Sequence, residues 1–207
     1  MNKKRYIASL LLFLTIVVSL AACSSETKLP RLAYNAVIVA FGDSITFGTG
    51  AQTQESYPAV LEKLTGKHVV NAGVPGEVTA DGLKRLPEVL AQEKPALLLL
   101  CHGGNDMLRR LDERQTANNL RDMIRLARAE GVAVVIIAVP SPGILVSPSS
   151  IYSEVAKELS VPLEEKTLSE ILADGSLKAD YIHPNATGYR RLAEALAALL
   201  KKSGAID

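Results

Sequence analysis

The stretch IVAFGDSITFGTG, Ile38 to Gly50, passes abruptly from an unbroken apolar run into glycines and small polar residues. A short apolar run bounded by glycine fits a strand covered on both faces. Ser44 then stands at the strand's end, where a serine serves either as the cap of a following helix or as an exposed nucleophile. Three further runs share the pattern: AVIVAF, which begins the first at Ala36 and ends at Phe41, is echoed by HVVNAG (His68 to Gly73), ALLLLC (Ala96 to Cys101) and VAVVIIAV (Val132 to Val139). A shorter fifth run lies around Val161 to Leu163.

Helical patterns separate these runs. Leu120, Met123, Ile124 and Ala127 share one face of the segment 115–129, and Gly131 supplies its stop. Tyr189, Leu192, Leu196, Leu199 and Leu200 mark the apolar face of a closing helix. Such alternation predicts an α/β three-layer sandwich with a central parallel sheet of about five strands and right-handed crossovers. Ligands of such sheets sit outside the carboxyl ends of the strands. Polar chemistry should therefore follow each apolar run, and it does. GDS (Gly42 to Ser44), NAGVPGEVT (Asn71 to Thr79) and HGGND (His102 to Asp106) follow the first three, and DYIHP (Asp180 to Pro184) precedes the closing helix.

Ester or thioester hydrolysis needs a nucleophile with a base, an acid group to orient that base, and donors for the oxyanion. His183 is the best base, and Asp180 lies three residues earlier, within reach in a tight turn. A bond from Asp180 to one imidazole nitrogen fixes the tautomer and leaves the other nitrogen for Ser44.

Taken together, GDS, GGND and DxxHP, in order along the chain, resemble the conserved blocks of the SGNH, or GDSL, hydrolase superfamily. GLKRLPEVL (Gly82 to Leu90) is similar to its arylesterase, lysophospholipase and acyl-CoA thioesterase branch. The resemblance covers nearly the whole chain after the leader and implies a flavodoxin-like fold. It implies Ser44 as nucleophile, His183 and Asp180 as the rest of a triad, and an oxyanion hole from the N–H groups of Ser44 and Gly76 with the side-chain amide of Asn105. No metal or organic cofactor is implied. Where relatives often carry SGDTT, this chain has Pro75, Gly76, Glu77, Val78 and Thr79. The implied function is a serine esterase acting on aryl esters, acyl thioesters or lysophospholipids. A polysaccharide O-acetyl esterase and a non-catalytic ligand- or partner-binding lipoprotein are the competing readings.

The amino terminus sets the expected location. Asn2-Lys3-Lys4-Arg5 and the apolar run Tyr6 to Cys23 have the form of a secretory signal, too short for a confident spanning helix. The run ends in LAAC (Leu20 to Cys23), which resembles the lipobox of bacterial lipoproteins and implies lipidation of Cys23. The chain thus divides into a signal peptide (1–22), a lipidated tether (23–32) and a hydrolase domain (33–207). Ser24, in place of an aspartate, points to the outer membrane, periplasmic side, of a diderm cell envelope.

Removing Lys3, Lys4 and Arg5 leaves 20 basic against 22 acidic residues, a balance with no electrostatic footprint for nucleic acid. With Cys23 lipidated, Cys101 has no disulfide partner and reads as a buried small hydrophobe. Asp43 reads as a cap and Asp106 as a brace for its block. His102 lies near the site without a direct catalytic role, His68 is a surface or core residue, and Arg109 and Arg110 form a solvated helix face. Ile45 and Phe47 bear on pocket shape, and PGILV (Pro142 to Val146) mildly favours an acyl chain.

Overall fold

A computed structural model describes residues 27–141 and 146–207. Five strands form one parallel sheet: β1 (Val37–Gly42), β2 (His68–Gly73), β3 (Leu97–Cys101), β4 (Ala133–Ile137) and, numbered after a small hairpin, β7 (Leu163–Glu164). Their order is β2-β1-β3-β4-β7. The hairpin pairs β5 (Pro140–Ser141) with β6 (Ser147–Pro148), just beyond the carboxyl end of β4. The signal and lipobox, and Pro142 to Leu145, lie outside the described residues.

Central strands follow the expected pattern. Every residue of β3 is buried, as are Val134 to Ile137 of β4. The outer strands depart from it. β2 is an edge strand, and His68 and Asn71 are exposed to solvent. β7 has only two residues because Pro162 has no N–H to donate, although its carbonyl still accepts from Ile136 N at 3.0 Å. β4 ends at Ile137, Ala138 N still donates to the Glu164 carbonyl at 2.8 Å, and Val139 continues, buried, toward the site.

Among the described residues, eight α-helices accompany these strands: α1 (Ser44–Phe47), α2 (Tyr57–Thr65), α3 (Thr79–Glu93), α4 (Gly104–Leu108), α5 (Glu113–Ala129), α6 (Ser150–Leu159), α7 (Thr167–Ala173) and α8 (Ala186–Lys202). On one side of the sheet α2 packs against α8. On the other α5 packs against α3 and α6. The start of α5 is set by Asp112, whose carboxylate accepts from the N–H groups of Arg114 and Gln115. Asn185 caps α8 by accepting from Gly188 N at 3.0 Å, so the chain turns into that helix directly after His183.

Three buried tyrosines carry polar tips to fixed partners in the segments that follow β1 and β3. The Tyr57 hydroxyl lies 3.0 Å from Thr46 Oγ1, Tyr152 donates to the His102 carbonyl at 2.8 Å, and Tyr189 donates to the Thr49 carbonyl at 2.7 Å. Burial pushes all three phenols above their ordinary range, so they remain protonated donors.

At the end of β1 the chain passes against β3 with no room for a side chain. A Cβ on Gly42 would lie 1.9 Å from the Cys101 carbonyl oxygen and 2.5 Å from Thr46 Oγ1. Gly42→Ala is therefore expected to destabilise the fold by at least about 1–3 kcal/mol, the usual cost of overpacking. Gly175→Ala, with nothing within 4 Å of its Cβ, should stay within about 0.5 kcal/mol of wild type. Urea unfolding of the two variants makes the comparison, and equal midpoints would contradict it.

Candidate active site

Ser44 opens α1 immediately after β1, and its Oγ lies 2.9 Å from His183 Nε2. The other ring nitrogen, Nδ1, is 2.8 Å from Asp180 Oδ2. Asp180 Oδ1 accepts from the N–H groups of Ile182 and His183, at 2.8 and 2.9 Å. The turn is closed by Ala179 N donating to the His183 carbonyl at 2.9 Å. Burial tends to raise the Asp180 carboxyl, but the bond from His183 and the two N–H donors outweigh it and hold it below its ordinary value. Asp180 therefore stands as a carboxylate facing Nδ1, while Nε2 points at the serine.

The loop after β2 and the start of α4 supply the opposite wall. Gly76 has φ +81°, a left-handed conformation suited to glycine. Asn105 Nδ2 donates to the Glu77 carbonyl at 3.0 Å and to Asp43 Oδ2 at 3.2 Å. Arg109, from the end of α4, donates to the Gly76 carbonyl at 2.7 Å. Its face is thus not simply solvated, since this side chain crosses to hold the Gly76 turn. Asp43 is the N-cap of α1, accepting from Ile45 N at 3.1 Å, and burial raises its carboxyl. Asp106 braces its block by accepting from Thr79 N and Thr79 Oγ1. His68 is a surface residue paired with Glu62.

Ser44, His183 and Asn105 open into a cavity of about 220 Å³, with Asp180 and Gly76 behind them outside its lining. Its walls are apolar: Ile45, Leu108, Val139, Val146, Leu172 and Ile182. Ile45 shapes the pocket as expected, while Phe47 lies outside its lining and is 53% exposed. Of the PGILV segment, Val146 reaches the wall. No group of three or more His, Cys, Asp or Glu side chains among the described residues is arranged to hold a metal ion.

Glu77 has a role that its position beside Gly76 did not disclose. Its carboxylate receives two bonds from Arg85, at 2.8 and 2.7 Å, and lies 3.1 Å from His102 Nε2. His102 Nδ1 accepts from Gly103 N, so the ring proton sits on Nε2 and points at Glu77. His102 is fully buried and does not line the cavity. Gly82 leaves it room, since a Cβ there would lie 2.4 Å from Nε2. Through its carbonyl and its carboxylate, Glu77 ties the Gly76 turn both to Asn105 and to the end of β3. An acidic residue one helical approach ahead of Arg85 was the available signal, but the His102 contact joins three separate elements.

Burial would raise the Glu77 carboxyl, yet the Arg85 and His102 bonds and the Arg85 charge bring it from 4.5 to about 2. A depressed folded-state value stabilises fully above pH 4.5 and loses that contribution as pH falls toward 2, a contribution that solvent screening holds to about 1–2 kcal/mol. The stability difference between wild type and Glu77→Gln should shrink across that window in acid unfolding titrations. A difference independent of pH would count against this assignment.

The GDSL-like lipase/acylhydrolase family model matches residues 40–191. Esterase TesA of Pseudomonas aeruginosa is 34% identical over 193 residues, covering 88% of this chain and 96% of its own. Thioesterase 1/protease 1/lysophospholipase L1 of Escherichia coli K12 is 31% identical, covering 83% of this chain and 86% of its own. Among solved structures, a crystal structure of TesA superimposes with a TM-score of 0.75 at 34% identity, covering 81% of this chain and 99% of that one.

Proposed function

The chain belongs to the GDSL-like lipase/acylhydrolase family and is a carboxylic ester hydrolase, and from that premise we propose that it works through an acyl-enzyme on Ser44. The observation that carries this reading is the unbroken Ser44–His183–Asp180 relay at 2.9 and 2.8 Å. His183 Nε2 takes the hydroxyl proton as Oγ attacks the ester carbonyl, and Asp180 stabilises the imidazolium that results. The proton then passes to the leaving alcohol or thiol. A water molecule, activated by the same imidazole, cleaves the acyl-enzyme and regenerates Ser44.

The N–H groups of Ser44 and Gly76 and the Asn105 amide receive the charge on the carbonyl oxygen. Asn105 has two amide hydrogens and two partners at rest. The longer bond, to Asp43 at 3.2 Å, is the one exchanged for the oxyanion. The apolar walls of the cavity support an acyl or aryl group as the bound part of the substrate, and so aryl esters, acyl thioesters and lysophospholipids as the substrate class. Beyond the proposed catalytic groups the lining offers a polysaccharide chain few polar partners, chiefly Asp43, Ser141 and Tyr181.

Ser44→Ala should abolish hydrolysis of a short-chain nitrophenyl ester without changing the unfolding midpoint. Asn105→Ala should lower kcat by about 10²–10³-fold, the usual effect of removing one oxyanion donor. Asp180→Asn should lower it by about 10⁴-fold by releasing the wrong tautomer. Full activity in Ser44→Ala would eliminate the proposed nucleophile. Acetate release from polysaccharide in preference to longer acyl esters would overturn the substrate class.

The second part of the proposal concerns location. The LAAC sequence supports lipidation of Cys23 and attachment to a bacterial envelope membrane, in the outer membrane on the periplasmic side. Labelled fatty acid should enter the wild-type protein and be absent from Cys23→Ser. Label retained in that variant would sink the anchor.

A further inference from the structure

The first described residues lie against the carboxyl end of α8 and the residues that follow it. Leu29 N donates to the Ser203 carbonyl and Leu32 N to that of Ala205, at 3.0 and 2.9 Å. Lys28 Nζ donates to the Lys202 carbonyl, and Arg31 pairs with Asp207 at 2.7 Å. Thr27 to Pro30 also line a groove with Gly131 to Val134, Ser160 and Pro162, at the amino ends of β4 and β7. Residues 28–32, the end of the expected tether, thus lie along the domain at its non-catalytic edge.

Helix α8 measures the separation. It starts two residues after Pro184, beside His183, and ends at Lys202, beside Lys28. Its 17 residues span about 25 Å. From Cys23 to Lys28 there are five residue steps, which reach at most about 18 Å when fully extended. With α8 upright, a mouth turned down onto the membrane would hold Lys28 about 25 Å above it, beyond that reach.

We propose that the anchored enzyme presents its mouth away from the bilayer that holds it, and so acts on esters that arrive through the aqueous phase or on a facing surface rather than on esters of its own leaflet. This rests on the ester hydrolase reading and on membrane attachment at Cys23. The geometry needs only that the chain leave the membrane there. The rim suits apolar substrates delivered from outside: Tyr181 is 93% exposed, and Leu108 and Ile182 are exposed where they line the cavity.

The test uses the full lipidated protein in phosphatidylethanolamine and phosphatidylglycerol vesicles. A two-chain lipid bearing a nitrophenyl ester at headgroup level is placed either in the same vesicles or in separate ones, and nitrophenyl butyrate is added in solution. The partner variant carries a 30-residue Gly-Ser insertion between Ser25 and Glu26, whose root-mean-square span is about 30 Å. Soluble ester should be turned over equally by both forms. Same-vesicle ester should be hydrolysed at least about tenfold faster by the insertion form. Turnover in separate vesicles assigns the substrate to a facing surface, and its absence assigns it to solution, with the orientation supported in either case. Equal same-vesicle rates in the two forms would overturn the orientation, as would failure of the protein to float with vesicles. Loss of soluble-ester hydrolysis in both forms would instead overturn the activity reading.

Discussion

A parallel sheet must end all of its strands at one edge, and everything functional in this chain follows from that constraint. The loops after β1, β2 and β3 have no choice but to meet, and the turn before α8 closes the group because α8 packs back against α2. Residues separated by well over a hundred positions therefore come within hydrogen-bond distance without any long-range motif to guide them. The close approach at Gly42 sharpens the constraint: the strand end carrying Ser44 presses on the backbone of Cys101. Added volume at that point would move Ser44 relative to the Asn105 block.

Much of this was legible because the physics was local. Doubly covered strands read as continuous apolar runs, so β1, β3 and β4 were visible within a residue or two at their amino ends. The Asp180–His183 pair was visible because a tight turn brings residues three apart together. The edge strand β2 was legible as the run His68 to Gly73, whereas β7 was less so, being shortened by a proline whose carbonyl, but not nitrogen, can join the ladder. The Glu77–Arg85–His102 cluster was not legible. Its members come from a loop, a helix and a strand end, and each alone has an ordinary surface or core explanation. Arg109 escaped for the same reason, since only the folded chain shows that it reaches the Gly76 carbonyl.

The site also separates its charges by environment. Asp180 is half exposed and supported by two backbone donors, which suits a group that must remain ionised beside a changing imidazole. Asp43 is buried one residue from the serine, where burial penalises its charge and its bonds go to structure. The Glu77 side chain is largely shielded from solvent, and Arg85 compensates its charge. Three carboxylates close to one reaction centre thus have three different tasks, decided by solvation and by the donors that face them.

The buried tyrosines have a consequence for how the site moves. Each is rooted in a core helix and ends on a segment flanking the chemistry: Thr46 and Thr49 on either side of α1's end, and His102 just before the Asn105 block. Opening either segment would strand a phenol inside the core or pull it out with its helix. The catalytic loops are therefore members of the same cooperative unit as the sheet. Loosening Thr46, Thr49 or the His102 carbonyl costs a buried phenol its hydrogen-bond partner, which ties the setting of these loops to the packing of three helices.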